Sequence, residues 1–348
     1  MSANLSLGRS RPLHHPSGLK FTTPLLVPSF SSKGFPLTRQ NGKTWVARTM
    51  ETTSEWLTER MLISAYDIFH EQIPTPKRLL GIPELTFIDS GGYEAGYDED
   101  LSAVTTKEHR PKPWSPNNLT KVLDAWPERF AAVFVSYDHP ARRIPLAQQL
   151  KEARKLFSRY PNQLHSFLIK PEKKPKKEKH QYLDSVLAKV MAKPQLLTGF
   201  EMIGVTEKEL GSSLLERMQR IAELRLALDG VSIVAPIQVF GALDPISTCL
   251  YFLAGAEIFD GLTWLRYAYH NGMCVYRANY GALAVGLDHR DTLVDAKTMA
   301  DNLNQLRTLE LALRRVAHDQ DLHHFPCHNE LLSRSFDDLR VKLDRTKG

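Results

Sequence analysis

Three aspartates in this chain sit where a carboxylate can do chemistry. Each closes a short apolar run: Thr86-Phe87-Ile88-Asp89, Val133-Phe134-Val135-Ser136-Tyr137-Asp138 and Ala256-Glu257-Ile258-Phe259-Asp260. Each run reads as a buried strand that delivers a carboxylate at its C-terminal end. In parallel α/β proteins that is the end where ligands bind. A carboxylate placed there can attack an electron-poor carbon such as a sugar anomeric centre. It can also carry a proton, or accept N–H donors from a planar heterocycle. Taken singly, each has a plainer reading. Asp89 could cap the turn Asp89-Ser90-Gly91-Gly92-Tyr93, Asp138 could pair with Arg142 or Arg143, and Asp260 could cap a helix or pair with Arg266. Three in one chain point instead to a pocket lined with carboxylates. Gly91 and Gly92 add to that reading, because glycine lets backbone amides approach a ligand closely.

A scaffold must bring these strand ends together. Eight short apolar runs recur along the chain: Pro24–Pro28, Met61–Ala65, the runs ending at Asp89 and Asp138, Ser166–Lys170, Phe200–Gly204, Pro236–Gly241 and the run before Asp260. Apolar residues at helical spacing fill intervals such as Pro145–Tyr160 and Ser212–Leu228. Asp244-Pro245 has the N-cap then N1 form of a helix start. Eight strands alternating with helices imply an α/β fold, a (β/α)8 TIM barrel, with an open doubly wound sheet as the alternative. The length of 348 residues suits one such barrel with additions. Residues 1–17 are expected as a flexible arm and 18–266 as the barrel. Residues 267–348 are expected as a helical region that completes it, with long helical patterns over 294–317 and 329–345. Residues 94–118 form a polar excursion after the third strand.

The composition narrows the setting. A net charge of +6 permits a polyanionic partner without requiring one. The cysteines, Cys249, Cys274 and Cys327, are few and far apart, which argues against a disulfide framework and for a reducing, cytoplasmic compartment. No run of about 18 apolar residues is present, so no membrane span is expected. The Arg-containing start lacks the apolar stretch of a secretory signal. The segment Lys170–His180 holds six lysines against two glutamates. A solvated loop is the plain reading of such a run. Its place after the fifth strand would put it on the active face, where Lys170, Lys173, Lys174, Lys176 and Lys177 could hold phosphates, as could Arg266 after the eighth strand.

In these motifs the chain resembles the tRNA-guanine transglycosylase family, whose members exchange a guanine in nucleic acid for a 7-deazaguanine. Asp89-Ser90-Gly91-Gly92-Tyr93 matches the family's Asp-Ser-Gly-Gly-Phe/Tyr motif, Phe259-Asp260 its strand-eight nucleophile, and Asp138 its base-holding aspartate. Ile203-Gly204-Val205-Thr206-Glu207 resembles its strand-six turn, and Gly241-Ala242-Leu243-Asp244-Pro245 its strand-seven turn. The matches run in the family's order over roughly residues 18–266. The resemblance implies a double displacement. Asp260 attacks the ribose C1′ and guanine leaves. Asp89 manages the proton on the leaving and incoming bases. Asp138 reads the base edge, and the Gly204–Val205 backbone faces its exocyclic groups. The target nucleotide must first leave its stack. The implied partners are nucleic acid, tRNA or DNA, and a free 7-deazaguanine base. A homodimer is a further implication, and no cofactor is called for.

Departures from the pattern bear on specificity. Glu94 stands where the family has Gln, and Leu168-Ile169-Lys170-Pro171 stands where it offers a base-reading Gln. These changes, and DNA-modifying relatives in the family, leave RNA and DNA both open. The family's structural zinc uses Cys-x-Cys-x-x-Cys and a His; after Asp260 this chain has only Cys274 and Cys327, so no metal is expected. His318, His323, His324, Cys327 and His328 cluster without that spacing. Two other readings remain: a non-catalytic nucleic-acid-binding subunit of a transglycosylase, and a small-molecule N-glycoside hydrolase using the same carboxylates.

Overall fold

Each of the eight apolar runs becomes a strand of one closed, all-parallel barrel in the computed structural model, which describes residues 6–36, 38–75, 82–103, 109–140, 142–172 and 182–345. The strands are β1 (Leu25–Phe30), β2 (Arg60–Ser64), β3 (Leu85–Asp89) and β4 (Ala132–Val135), then β5 (Leu164–Leu168), β6 (Met202–Thr206), β7 (Ile237–Phe240) and β8 (Ile258–Gly261). The barrel closes where β8 pairs with β1, setting Asp260 beside Val27. Closure excludes the open sheet.

Strand side chains alternate between two faces. Leu25, Val27, Leu85, Phe87, Val133, Met202 and Ile258 share one buried cluster that fills the barrel interior. Leu26, Ile88, Phe134 and Phe259, one position away, belong to a second cluster between the strands and the surrounding helices. The same alternation continues to the strand ends. Asp89 is two residues beyond Phe87 and Asp260 two beyond Ile258, so both carboxylates project from the inward face at its C-terminal rim.

The helices follow the expected pattern: α1 (Trp45–Thr53), α2 (Pro116–Asp124), α3 (Leu146–Phe157), α4 (Asp184–Ala192), α5 (Leu214–Asp229) and α6 (Pro245–Leu253). Asp244 caps α6 by accepting from the amides of Ile246 and Ser247, both at 3.0 Å. In the C-terminal region, α7 (Asp291–Asp319) and α8 (Asn329–Arg345) cover the wall. Glu310 of α7 accepts from the Leu26 amide at 2.9 Å and pairs with Arg60 at 2.9 Å, which ties this region to β1 and β2.

The expected flexible arm is different in the structure. Residues 1–5 lie outside the described residues, but the chain from Ser6 is docked. Pro12–His14 pairs with Lys20–Thr22 as a hairpin. Leu13 is buried in the barrel-interior cluster, with Leu19 and Phe21 packed against it. Arg11 reaches Glu257 at 2.6 Å. A barrel has an apolar interior at both ends, and this hairpin covers the end away from the aspartates. Arg11 is thus buried against the Glu257 carboxylate instead of standing in solvent.

Candidate active site

The C-terminal ends of the strands surround a cleft with about 920 Å³ of open space, its mouth included, and Asp89, Asp138 and Asp260 all line it. The three strand-end aspartates therefore share one pocket.

Asp260 is only 4% exposed. Gln238, on the inward face of β7, donates to its Oδ2 at 2.9 Å. Ser166 of β5 donates to Gln238 Oε1 at 3.0 Å, which turns the amide so that its NH2 faces the aspartate. Ser29 makes a longer contact of 3.5 Å to Oδ1. Burial pushes the Asp260 carboxyl up to about 7, and the hydrogen bonds from Gln238, Gly241 and Ser29 work against that rise. Near neutral pH the group is thus divided between a proton-bearing acid and a carboxylate able to attack.

Asp89 accepts from the Gly91 amide at 3.0 Å. Burial, then the charges of Glu94, Asp260 and Asp138, push it up to about 7 as well. A carboxyl that gains and loses a proton near neutrality suits a proton carrier. The glycines after it have separate reasons. Gly91 has φ +83°, in the left-handed region, and a Cβ on Gly92 would lie 2.6 Å from Asp138 Cβ. Gly92 thus lets the β3 turn and the β4 loop come together. Ser90 Oγ accepts from the Asp138 amide at 3.1 Å across the same junction.

Asp138 behaves differently from the other two. Burial would raise it, but Lys170 and Arg143 hold it below the usual aspartate range. Arg143 reaches it at 3.0 Å and Lys170 at 3.2 Å. Both cations also bind Glu209 Oε1, at 3.1 and 2.8 Å. Burial would lower Lys170, but Asp138 and Glu209 raise it. Glu209 Oε2 is buried with no hydrogen-bond partner among the described residues. The cluster offers a fixed set of charged acceptors and donors to a polar ligand edge.

Other expected site residues fall elsewhere. Lys170 is in the pocket wall, ion-paired and buried, and not on a solvated phosphate-binding face. The Arg266 side chain is largely covered and is committed to Asp100 (2.5 Å), Ser102 (2.6 Å) and the Tyr93 hydroxyl (3.1 Å). That corrects both the phosphate contact and the pairing with Asp260. Gly204 and Val205 are buried within β6, and the cleft is lined instead by Thr206, Lys208 and Glu209 from the same segment. Lys173, Lys174, Lys176 and Lys177 lie outside the described residues. Among the described residues no group of three or more His, Cys, Asp or Glu side chains could hold a metal, and no helix is long and apolar enough to cross a membrane.

Sequence reasoning did not single out Gln238, Glu209 or Ser29. Gln238 carried a signal, since it is the one polar residue in the run Pro236–Phe240. Glu94, noted only as a departure, is buried and accepts from Ser31 at 2.5 Å and Ser64 at 2.7 Å. These bonds fix its carboxylate beside Asp89. No protein-family model matches this chain, and no curated protein is significantly similar to it in sequence.

Proposed function

We propose that this chain is a base-exchange glycosyltransferase that replaces guanine in nucleic acid, tRNA or DNA, with a 7-deazaguanine. The observation that supports it best is the pairing in one cleft of two inward strand-end carboxyls, Asp260 and Asp89, each raised to about 7. Ionised Asp260 attacks the ribose C1′. The C1′–N9 bond breaks, and its electron pair leaves with guanine, which takes a proton from Asp89. The incoming base gives its N9 proton to Asp89, attacks C1′ and releases Asp260. Each half-reaction thus returns what the other used. Asp138 is kept ionised and accepts N–H donors from the heterocycle.

The test is incubation with labelled guanine and separate tRNA and duplex DNA pools, followed by denaturing electrophoresis of the protein. Incorporation of label, with a protein–nucleic acid adduct that Asp260→Asn cannot form, is the expected result. An equal adduct from both proteins would remove Asp260 as nucleophile. Binding without adduct or exchange would favour a non-catalytic subunit, and release of base from a free nucleoside alone would favour a hydrolase.

A further inference from the structure

The loop that follows β3 is held over the cleft by three cations from three other strand-end loops. Lys33, after β1, donates to the carbonyls of Tyr93, Gly96 and Asp98 at 2.8, 2.8 and 2.7 Å. Lys208, after β6, donates to the Glu99 carbonyl at 3.0 Å. Arg266, after β8, holds Asp100 and Ser102. Gly96, Asp98 and Asp100 all line the cleft. In the middle of this clamped strap Tyr97 is 77% exposed. It makes no hydrogen bond or ring contact with the described residues.

A tyrosine on a loose loop would need no explanation. Here the backbone on both sides is fixed, so Tyr97 is set between two residues that line the cleft, Gly96 and Asp98, with its side chain exposed. We propose that Tyr97 is a stacking platform for the nucleobase next to the one that enters the cleft. This rests on the base-exchange reading. Taking one base out of a strand leaves its neighbour without a stacking partner, and an exposed aromatic ring on the backbone that borders the pocket can replace it. The ring face does the work, so the phenol hydroxyl is dispensable.

The test uses two probes, an RNA stem–loop with one loop guanine and a DNA duplex with one guanine in its labelled strand. Each carries 2-aminopurine on either side of that guanine in turn. Anisotropy gives affinity, 2-aminopurine emission reports stacking, and a denaturing gel reports covalent adduct. Loss of one base–aromatic stack predicts binding by Tyr97→Ala that is roughly 5- to 150-fold weaker. Emission quenching at one flank should disappear with it, while Tyr97→Phe and Tyr97→Trp keep both. Because the side chain is exposed, the Ala variant should fold normally. Wild-type adduct with unchanged binding and quenching in Tyr97→Ala would overturn the stacking role and leave base exchange standing. No binding or adduct by the wild type on either probe would overturn both.

Discussion

Replacing Asp260 with Asn should stabilise the protein, and more so as pH rises. The folded carboxyl is pushed from an ordinary 3.8 up to about 7 because it is buried. At about 1.4 kcal/mol per unit, holding the ionised form in the fold costs up to about 4 kcal/mol. The sign follows from proton binding. Between the unfolded and folded values the native state holds the proton more tightly, so stability falls as pH rises through that window and levels off above about 7. Asn has nearly the same size and can still accept from Gln238, but it has no charge to bury. Thermal or urea unfolding of both proteins at about pH 5 and pH 8 reads the effect; Asp89, relieved of the Asp260 charge that pushes it up, shifts the gap in the same direction. The stability gap in favour of Asn should widen by roughly 2.5 kcal/mol between those two conditions, which amounts to several degrees in Tm. A gap that does not change with pH would refute the claim that Asp260 is ionised at a cost. A variant less stable than wild type at the higher pH would show that the charge is net stabilising in place.

Two further outcomes follow from the same geometry. If Asp89 delivers the proton to departing guanine while Asp260 attacks as an anion, exchange rate against pH should be bell-shaped near 7. Asp89→Asn should lose about 10²–10⁴ in rate together with the alkaline limb; a profile flat across neutrality would remove the acid–base pair. Replacing Lys170 with Ala leaves Arg143 as the one ion-pair partner of Asp138 and Glu209 among the described residues. Breaking a buried pair in this way typically costs about 3–5 kcal/mol, and the surviving arginine favours the lower end. Urea unfolding that shows no loss would mean that Lys170 contributes nothing net to the cluster.

The barrel and the direction of its aspartates were legible in the amino-acid order because both are local. A strand alternates with period two, so Phe87 facing inward carries Asp89 with it, and Ile258 does the same for Asp260. Helix starts such as Asp244-Pro245 are equally local, and the cap forms where that pair predicts. Partner choice was not legible. Arg266 lies six residues from Asp260 and looked like its counter-ion, yet it binds Asp100, 166 positions away in the chain. Lys170 opened a lysine-rich run and looked solvated, yet the inward period of β5 turns it into the pocket against Asp138 and Glu209. The first strand of the N-terminal hairpin, within residues 1–17, read as free chain, because nothing in its own spacing says that the open end of a barrel needs covering. The same limit applies to the proton affinities of Asp89 and Asp260. Residue type sets the ordinary value, and only closure of eight strands raises it: removal of water lifts both, and for Asp89 the carboxylates of Glu94, Asp260 and Asp138 add to the rise.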